Sequence, residues 1–266
     1  MRGRRGAGSS PRWRRTGATL SDLGPLAQLR AGRLPRRLVQ LLAGLALYGI
    51  SMALVLRATL GQIPWDVLHV GVAQHLPVTF GTTVILVSLL VLLFWIPLRQ
   101  RPGLGTIGNA LLIGPAADLT LALVPEPEHL GVRLPLLFGA VFLNGLASAM
   151  YIGAQFGPGA RDGLMTGLSR RTGLSLRLVR TALEVSVVVV GWFLGGTIGL
   201  GTVLYALAIG PLTQGMLPRL IVPLAPVPLR AKTAPPEGSS PATPPCRPPG
   251  SPPPAGRRRR TPRRGV

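Results

Sequence analysis

GQIPWDVLHVG at residues 61–71 and GPGARDGLMTG at residues 157–167 stand 96 positions apart, and that offset holds without a gap from Ala58 over Ala154 to Pro115 over Pro211. GLGTIGNALLIGP at 103–115 and GLGTVLYALAIGP at 199–211 close the match. Identical pairs include Gly61/Gly157, Leu68/Leu164, Gly71/Gly167, Gly105/Gly201, Ala110/Ala206 and Gly114/Gly210. A biased composition scatters glycines, but it does not hold Asp66 over Asp162 and one Gly-Pro pair over another. The chain reads as an internal duplication.

Composition says what was duplicated. Hydrophobic residues make up 47% of the 266 positions and charged residues 14%, with a mean hydropathy of +0.41, which lies outside soluble usage and indicates an integral membrane protein. The formal charge of +21 would point to nucleic acid if it were spread over the fold. It is not: ten of the 29 basic residues precede Leu38 and ten follow Leu217. The ends, 1–37 and 223–266, are low in apolar residues and rich in Arg and Pro, so they read as disordered tails. Cytoplasmic tails of this kind are drawn to anionic lipid, whereas nucleic-acid binding is disfavoured because no aromatic residue interleaves the terminal Arg cluster. Cys246 is alone, which excludes a disulfide or thiolate metal site within the chain.

A membrane helix needs about 20 mostly apolar residues. Six segments qualify: Leu38–Leu56, Val78–Leu98, Gly105–Val124, Leu134–Ile152, Leu176–Leu194 and Thr202–Leu217. The fold expected is an all-α polytopic membrane protein of about six transmembrane helices, with repeat 1 at 38–125 and repeat 2 at 134–218. The segments 62–76 and 158–172 are too short and polar to span and are expected to be re-entrant or interfacial; four crossings per copy is the alternative. Three crossings per copy makes the second copy enter in the opposite sense, an inverted repeat of the kind found in secondary transporters. Basic residues in the loops place both termini in the cytoplasm, with Arg99, Arg101, Arg161, Arg170 and Arg171 on the same side.

Candidate site residues follow from the same register. Asp66 and Asp162 each follow a Gly/Pro turn and precede an apolar helical stretch. They suit either a first-turn structural role or contact with a polar ligand or ion near the midplane. Gly114-Pro115 and Gly210-Pro211 interrupt the third and sixth spans, as a plain kink or as part of a binding site. Asn109, Asp118, Asn144 and Tyr205 are the polar groups within the spans that could line a cavity, or serve as interhelical hydrogen bonds. Glu184 in the fifth span has Arg180 one turn before it, which predicts a structural ion pair. Gly49/Gly145 and Ala53/Ala149 are small residues expected to let the first spans of the two copies pack together. No metal-ligand cluster, phosphate loop, dinucleotide fingerprint or nucleophile elbow occurs, so neither a cofactor nor a catalytic residue is expected and an enzyme is disfavoured.

These strings carry a family resemblance. Pro64-Trp65-Asp66-Val67-Leu68-His69, then Gly157-Pro158, Arg161-Asp162-Gly163-Leu164-Met165-Thr166-Gly167 and the two GLGT…GP blocks resemble the YczE-like members of the YczE/YyaS/YitT group of bacterial membrane proteins. The resemblance covers Leu38 to Leu217. Ile63 stands where a Gly would be expected and Ala160 where a Pro would be, which alters local turn geometry. It implies a multi-pass membrane protein and supplies no catalytic residues. The expected function is a small-solute permease or secondary transporter for a small polar solute or ion. The alternative is a non-transporting scaffold or regulator acting through its helices and basic tails. An intramembrane enzyme would require Asp118 or Glu184 to meet substrate and water.

Overall fold

The computed structural model describes residues 28–29 and 32–224. Between Leu34 and Leu220 the chain forms eight α-helices: α1 Leu34–Ala58, α2 Pro64–Ala73, α3 Phe80–Leu98, α4 Leu104–Leu123, α5 Leu130–Gly153, α6 Ala160–Thr172, α7 Leu176–Phe193 and α8 Leu200–Leu220. The first four begin at Leu34, Pro64, Phe80 and Leu104, and each of the last four begins 96 residues later. Apart from the residues just named, the expected tails lie outside the described residues. One tail boundary is corrected. Residues 34–37 form the first turn of α1, and Arg37 is fully buried there. Its guanidinium donates to the carbonyls of Gln28 at 2.6 Å, Ala154 at 2.9 Å and Gln155 at 2.9 Å, and lies 4.3 Å over the Phe156 ring. Carbonyls left open at a helix C-terminus suit a cation, which is why a residue that reads as tail is drawn into the core.

That contact also sets direction. The start of α1 meets the end of α5, and Gly44 lies against Met150 and Tyr151, so α1 and α5 run antiparallel. α4 runs parallel to α1, with Gly49 against Ile113 and Ala117 and the Arg57 guanidinium donating to the Leu121 carbonyl. In the second half α8 runs parallel to α5, with Gly145 against Leu212 and Gly153 against Leu220. Gly49 and Gly145 therefore admit α4 and α8 rather than each other, a correction to the sequence reading. The first spans of the two halves do pack together as expected, with Gly44 against Met150, Tyr151 and the Ala147 carbonyl.

The two short helices cross between halves. α2 packs on α7, where Gly71 and Gly191 bring the backbones together and Gly196 lies on the Val67 carbonyl. α6 packs on α3, where Gly163 leaves room for Trp95, whose Nε1–H donates to the Ala160 carbonyl at 3.0 Å. At about 1.5 Å per residue, the ten residues of α2 and the 13 of α6 reach roughly 15 and 20 Å, short of the ~30 Å hydrocarbon layer.

The repeated glycines have a reciprocal use. The turn before α2 and the turn before α6 both need positive φ, at Gly61 (+107°) and Gly157 (+102°). Each turn lies on the GLGT helix start of the other half, Gly61 on Gly199 and Gly157 on Gly103. The Gly201 N–H donates to the Leu60 carbonyl at 2.8 Å, and the Gly105 N–H donates to the Phe156 carbonyl at the same distance. First-turn amide groups that would lack partners in lipid are thereby satisfied across the halves.

Among the described residues five helices, α1, α3, α4, α5 and α8, are long and apolar enough to cross a membrane. The fifth expected span, α7, has 18 residues and carries Arg177, Arg180 and Glu184, which raises the cost of placing it in lipid. Large apolar side chains face outward, among them Ile96 and Leu207, each 72% exposed. A surface of this kind suits a lipid surround.

Candidate functional site

The N-terminal ends of α2 and α6 converge on one cavity of about 160 Å³. Pro64 and Trp65 border it from α2, Arg161 and Asp162 from α6, Tyr48 from α1 and Tyr151 from α5. Its remaining wall comes from α7 and α8, where Arg180 and Glu184 face Tyr205, Gly210 and Gln214. A second, smaller cavity of about 20 Å³ lies beside it and shares Tyr48, Trp65 and Arg161; Asn109 and His69 border that one.

Arg161 stands at the junction. Its guanidinium donates to the Tyr48 hydroxyl and lies 5.5 Å over the Tyr48 ring and 5.6 Å over the Trp65 ring. The rings shield the cation and offer it their negative faces. Asp162 accepts from the Tyr151 hydroxyl at 2.6 Å, and Tyr48 and Tyr151 meet edge to face at 6.1 Å. A buried polar chain supports the tyrosines. Asn144 donates to Ser51 Oγ at 2.7 Å and accepts from the Tyr205 hydroxyl at 3.0 Å, while the Tyr48 and Tyr205 oxygens are 3.5 Å apart. With both members of each pair occupied, these rotamers are held in place.

The candidate residues from the sequence separate into groups. Asp162, Tyr205, Gly210 and the Arg180–Glu184 pair, with Nε to Oε1 at 2.9 Å, border the larger cavity. Asn109 reaches only the smaller one. Asp66 is buried in the first turn of α2, where its carboxylate pairs with His69 Nδ1 at 3.1 Å. Asp118 lines neither of these two cavities: it accepts from the Gly81 N–H at 2.7 Å and from Thr79 Oγ1 at 2.5 Å, clasping the N-terminus of α3. Gly114 belongs to the same clasp, packed against the Gly81 carbonyl, and Pro115 and Pro211 face outward.

Residues 35–218 match DUF6198, described as a family of unknown function. The chain belongs to that family. It is 39% identical over 177 residues to an uncharacterized protein of Haemophilus influenzae, a match covering 66% of this chain and 81% of the relative. It is also 31% identical over 175 residues to the uncharacterized membrane protein YczE of Bacillus subtilis, covering 65% and 81%, and 30% identical over 182 residues to the uncharacterized protein YyaS of the same organism, covering 66% and 89%. No solved structure matches. With five spanning-length apolar helices and a relative named as a membrane protein, this DUF6198 chain is a multi-pass membrane protein.

Every residue of both cavities lies inside the DUF6198 match. Four of them, Arg161, Trp65, Tyr48 and Tyr151, carry the site's chemistry yet were not among the sequence candidates. Arg161 counts toward the loop cations in the charge argument, but the structure turns it inward. The signal available in the sequence was its register: Arg161 occupies the place of Trp65 in the first half, directly before the matched aspartates.

Proposed function

We propose that this protein is a small-solute permease built from two inverted copies, with six crossings and both termini in the cytoplasm. The cavity around Arg161 and Asp162 is its substrate site. The observation that carries this reading is a charged cavity, enclosed by elements of both halves, at the point where two helices too short to span begin. Ionisable groups at such depth are expensive and are retained where they face a solute path. Broken helices at the boundary between two inverted halves are where secondary transporters bind their cargo. The matched helix starts, the antiparallel α1 and α5 and the reciprocal Gly201–Leu60 and Gly105–Phe156 bonds support the inverted arrangement.

In this reading Asp66, paired with His69, sets the α2 start, Asp162 and Tyr151 shape the cavity wall, and the Arg180–Glu184 pair lies at the mouth. The Arg-rich tails associate with anionic lipid on the cytoplasmic face. The test is flux in proteoliposomes of the full chain against a solute panel. A solute carried by the wild type and lost in Asp162→Asn and Tyr151→Phe supports the permease. A folded protein that carries nothing, whose cellular role disappears on tail deletion and survives Asp162→Asn, would establish the scaffold instead.

A further inference from the structure

Two donors at the larger cavity, on Arg161 and Trp65, have capacity to spare. Both carboxylates that border it already hold a donor: Asp162 accepts from Tyr151 at 2.6 Å and Glu184 from Arg180 at 2.9 Å. Asp66, just behind the wall, is paired with His69. Arg161 makes no direct ion pair among the described residues, although the Asp162 and Asp66 carboxylates lie near enough to stabilise its charge; its one hydrogen bond goes to the Tyr48 hydroxyl. A guanidinium carries five N–H donors in a planar fork, so most of its capacity is unused.

A second donor in the cavity wall is unmet. Trp65 is 4% exposed, borders both cavities, and its Nε1–H has no acceptor among the described residues. Trp95 provides the contrast, since its indole N–H reaches the Ala160 carbonyl at 3.0 Å. Buried indole N–H groups ordinarily find a partner, and an unmet buried donor is costly. A guanidinium with unused N–H donors and a tryptophan whose indole N–H lacks an acceptor therefore border one cavity.

We infer that the solute is a small organic monoanion of the carboxylate class, its carboxylate held by the Arg161 guanidinium and the Trp65 indole N–H. A carboxylate presents two coplanar acceptors that match the guanidinium fork, which a spherical halide does not. The rings of Tyr48 and Trp65 receive the apolar remainder. At about 160 Å³ the cavity is smaller than drug-sized sites, which restricts that remainder to a short chain or a single small ring. Arg161 and Trp65 occupy the same register position in the two halves, so one anion sits between the matched first turns of α6 and α2. Substrate identity here deepens the permease reading and rests on it for transport, but not for binding.

The experiment is thermal unfolding of the detergent-purified full chain with sodium salts of short-chain monocarboxylates. Ionic strength is matched with sodium chloride, and inorganic phosphate, tetramethylammonium chloride and glycerol serve as the other arms. A saturable rise in Tm with a carboxylate is expected in the wild type. The apparent affinity falls at least tenfold in Arg161→Gln, recovers in part in Arg161→Lys, and falls about threefold in Trp65→Phe. Should Arg161→Gln fail to fold, Trp65→Phe together with carboxylate quenching of tryptophan emission reads the same contact. Stabilisation by phosphate or tetramethylammonium rather than by carboxylates overturns the inference, as does carboxylate binding that is unchanged in the variants, or none at all. Flux separates the two claims. A wild type that carries only neutral or cationic solutes keeps the permease and sinks the anion. Arg161-dependent carboxylate binding without flux keeps the anion site and sinks the permease.

Discussion

At Gly81 and Gly114 the backbones of α3 and α4 come into contact; at the matching places in α7 and α8, Arg177 and Gly210, a Cβ added to Gly210 would meet nothing within 4 Å. The two seams have matching helix starts and lengths within a residue of one another. Their difference lies in side chains. In the first seam two glycines remove the bulk, and Asp118 reaches across to the Gly81 N–H and Thr79 Oγ1. In the second, Arg177 takes the place of Gly81 and Gln214 that of Asp118, so there is neither the room nor the anchoring carboxylate. The open seam is the mouth of the larger cavity, bordered by Arg180 and Glu184 on one side and Gly210 and Gln214 on the other. Differences at two register positions thus accompany a close seam in one half and an open one in the other.

The largest test of that contrast is bulk at the seams. A Cβ at position 81 would stand 2.6 Å from the Asp118 carboxylate and press on the Gly114 carbonyl. Gly81→Val should cost about 3 kcal/mol or more, or prevent folding, while Gly210→Val stays within about 0.5 kcal/mol. Equal losses at the two sites in thermal unfolding would erase the distinction.

The turn glycines are the control, because there the halves are built alike. Gly61→Ala and Gly157→Ala each put a side chain at positive φ, costing about 1–3 kcal/mol. Gly61 should be the worse, since its Cβ would lie 2.5 Å from the Gly199 nitrogen against 3.3 Å from Gly103 Cα for Gly157. Reversal of that order would mean the reciprocal clasps are not equivalent in the way described.

Next in size is the clasp itself. Asp118→Ala removes two hydrogen bonds and a negative charge from the α3 N-terminus, an expected loss of about 2 kcal/mol; exposed Gln214→Ala should change Tm hardly at all. The smallest effect is at the mouth. Glu184→Gln breaks a half-exposed ion pair and should cost under about 1 kcal/mol, so any large loss of flux in that variant would come from the entrance rather than from the fold.

Much of this was legible in the chain. The helices end close to the hydropathy boundaries, and the short α2 and α6 fall inside 62–76 and 158–172. Hydrophobic run length and Gly/Pro punctuation act locally, so they can be read without knowing the neighbours. Asp162 and Gly210 follow from the register, and Tyr205 from being a polar group in an apolar span. Asp118 looked equally suitable for a cavity, because a carboxylate in an apolar span looks the same whether it faces a solute or a helix N-terminus. Its partners lie 37 and 39 residues away.

By itself the sequence determined where the apolar helices lie, which residues match at an offset of 96 and where the two polar breaks fall, all of which follow from local composition and from comparing one stretch with another. The tertiary structure decided that Arg37 caps the end of α5, that Arg161 turns inward between Tyr48 and Trp65, and that one seam closes while its counterpart opens. Each of those outcomes is a contact between residues distant in the chain, Arg161 and Tyr48 being 113 positions apart. Whether a charge is paired, capped or left facing a cavity depends on which helix packs beside it, and that is set by packing across the whole bundle rather than by any local run of residues.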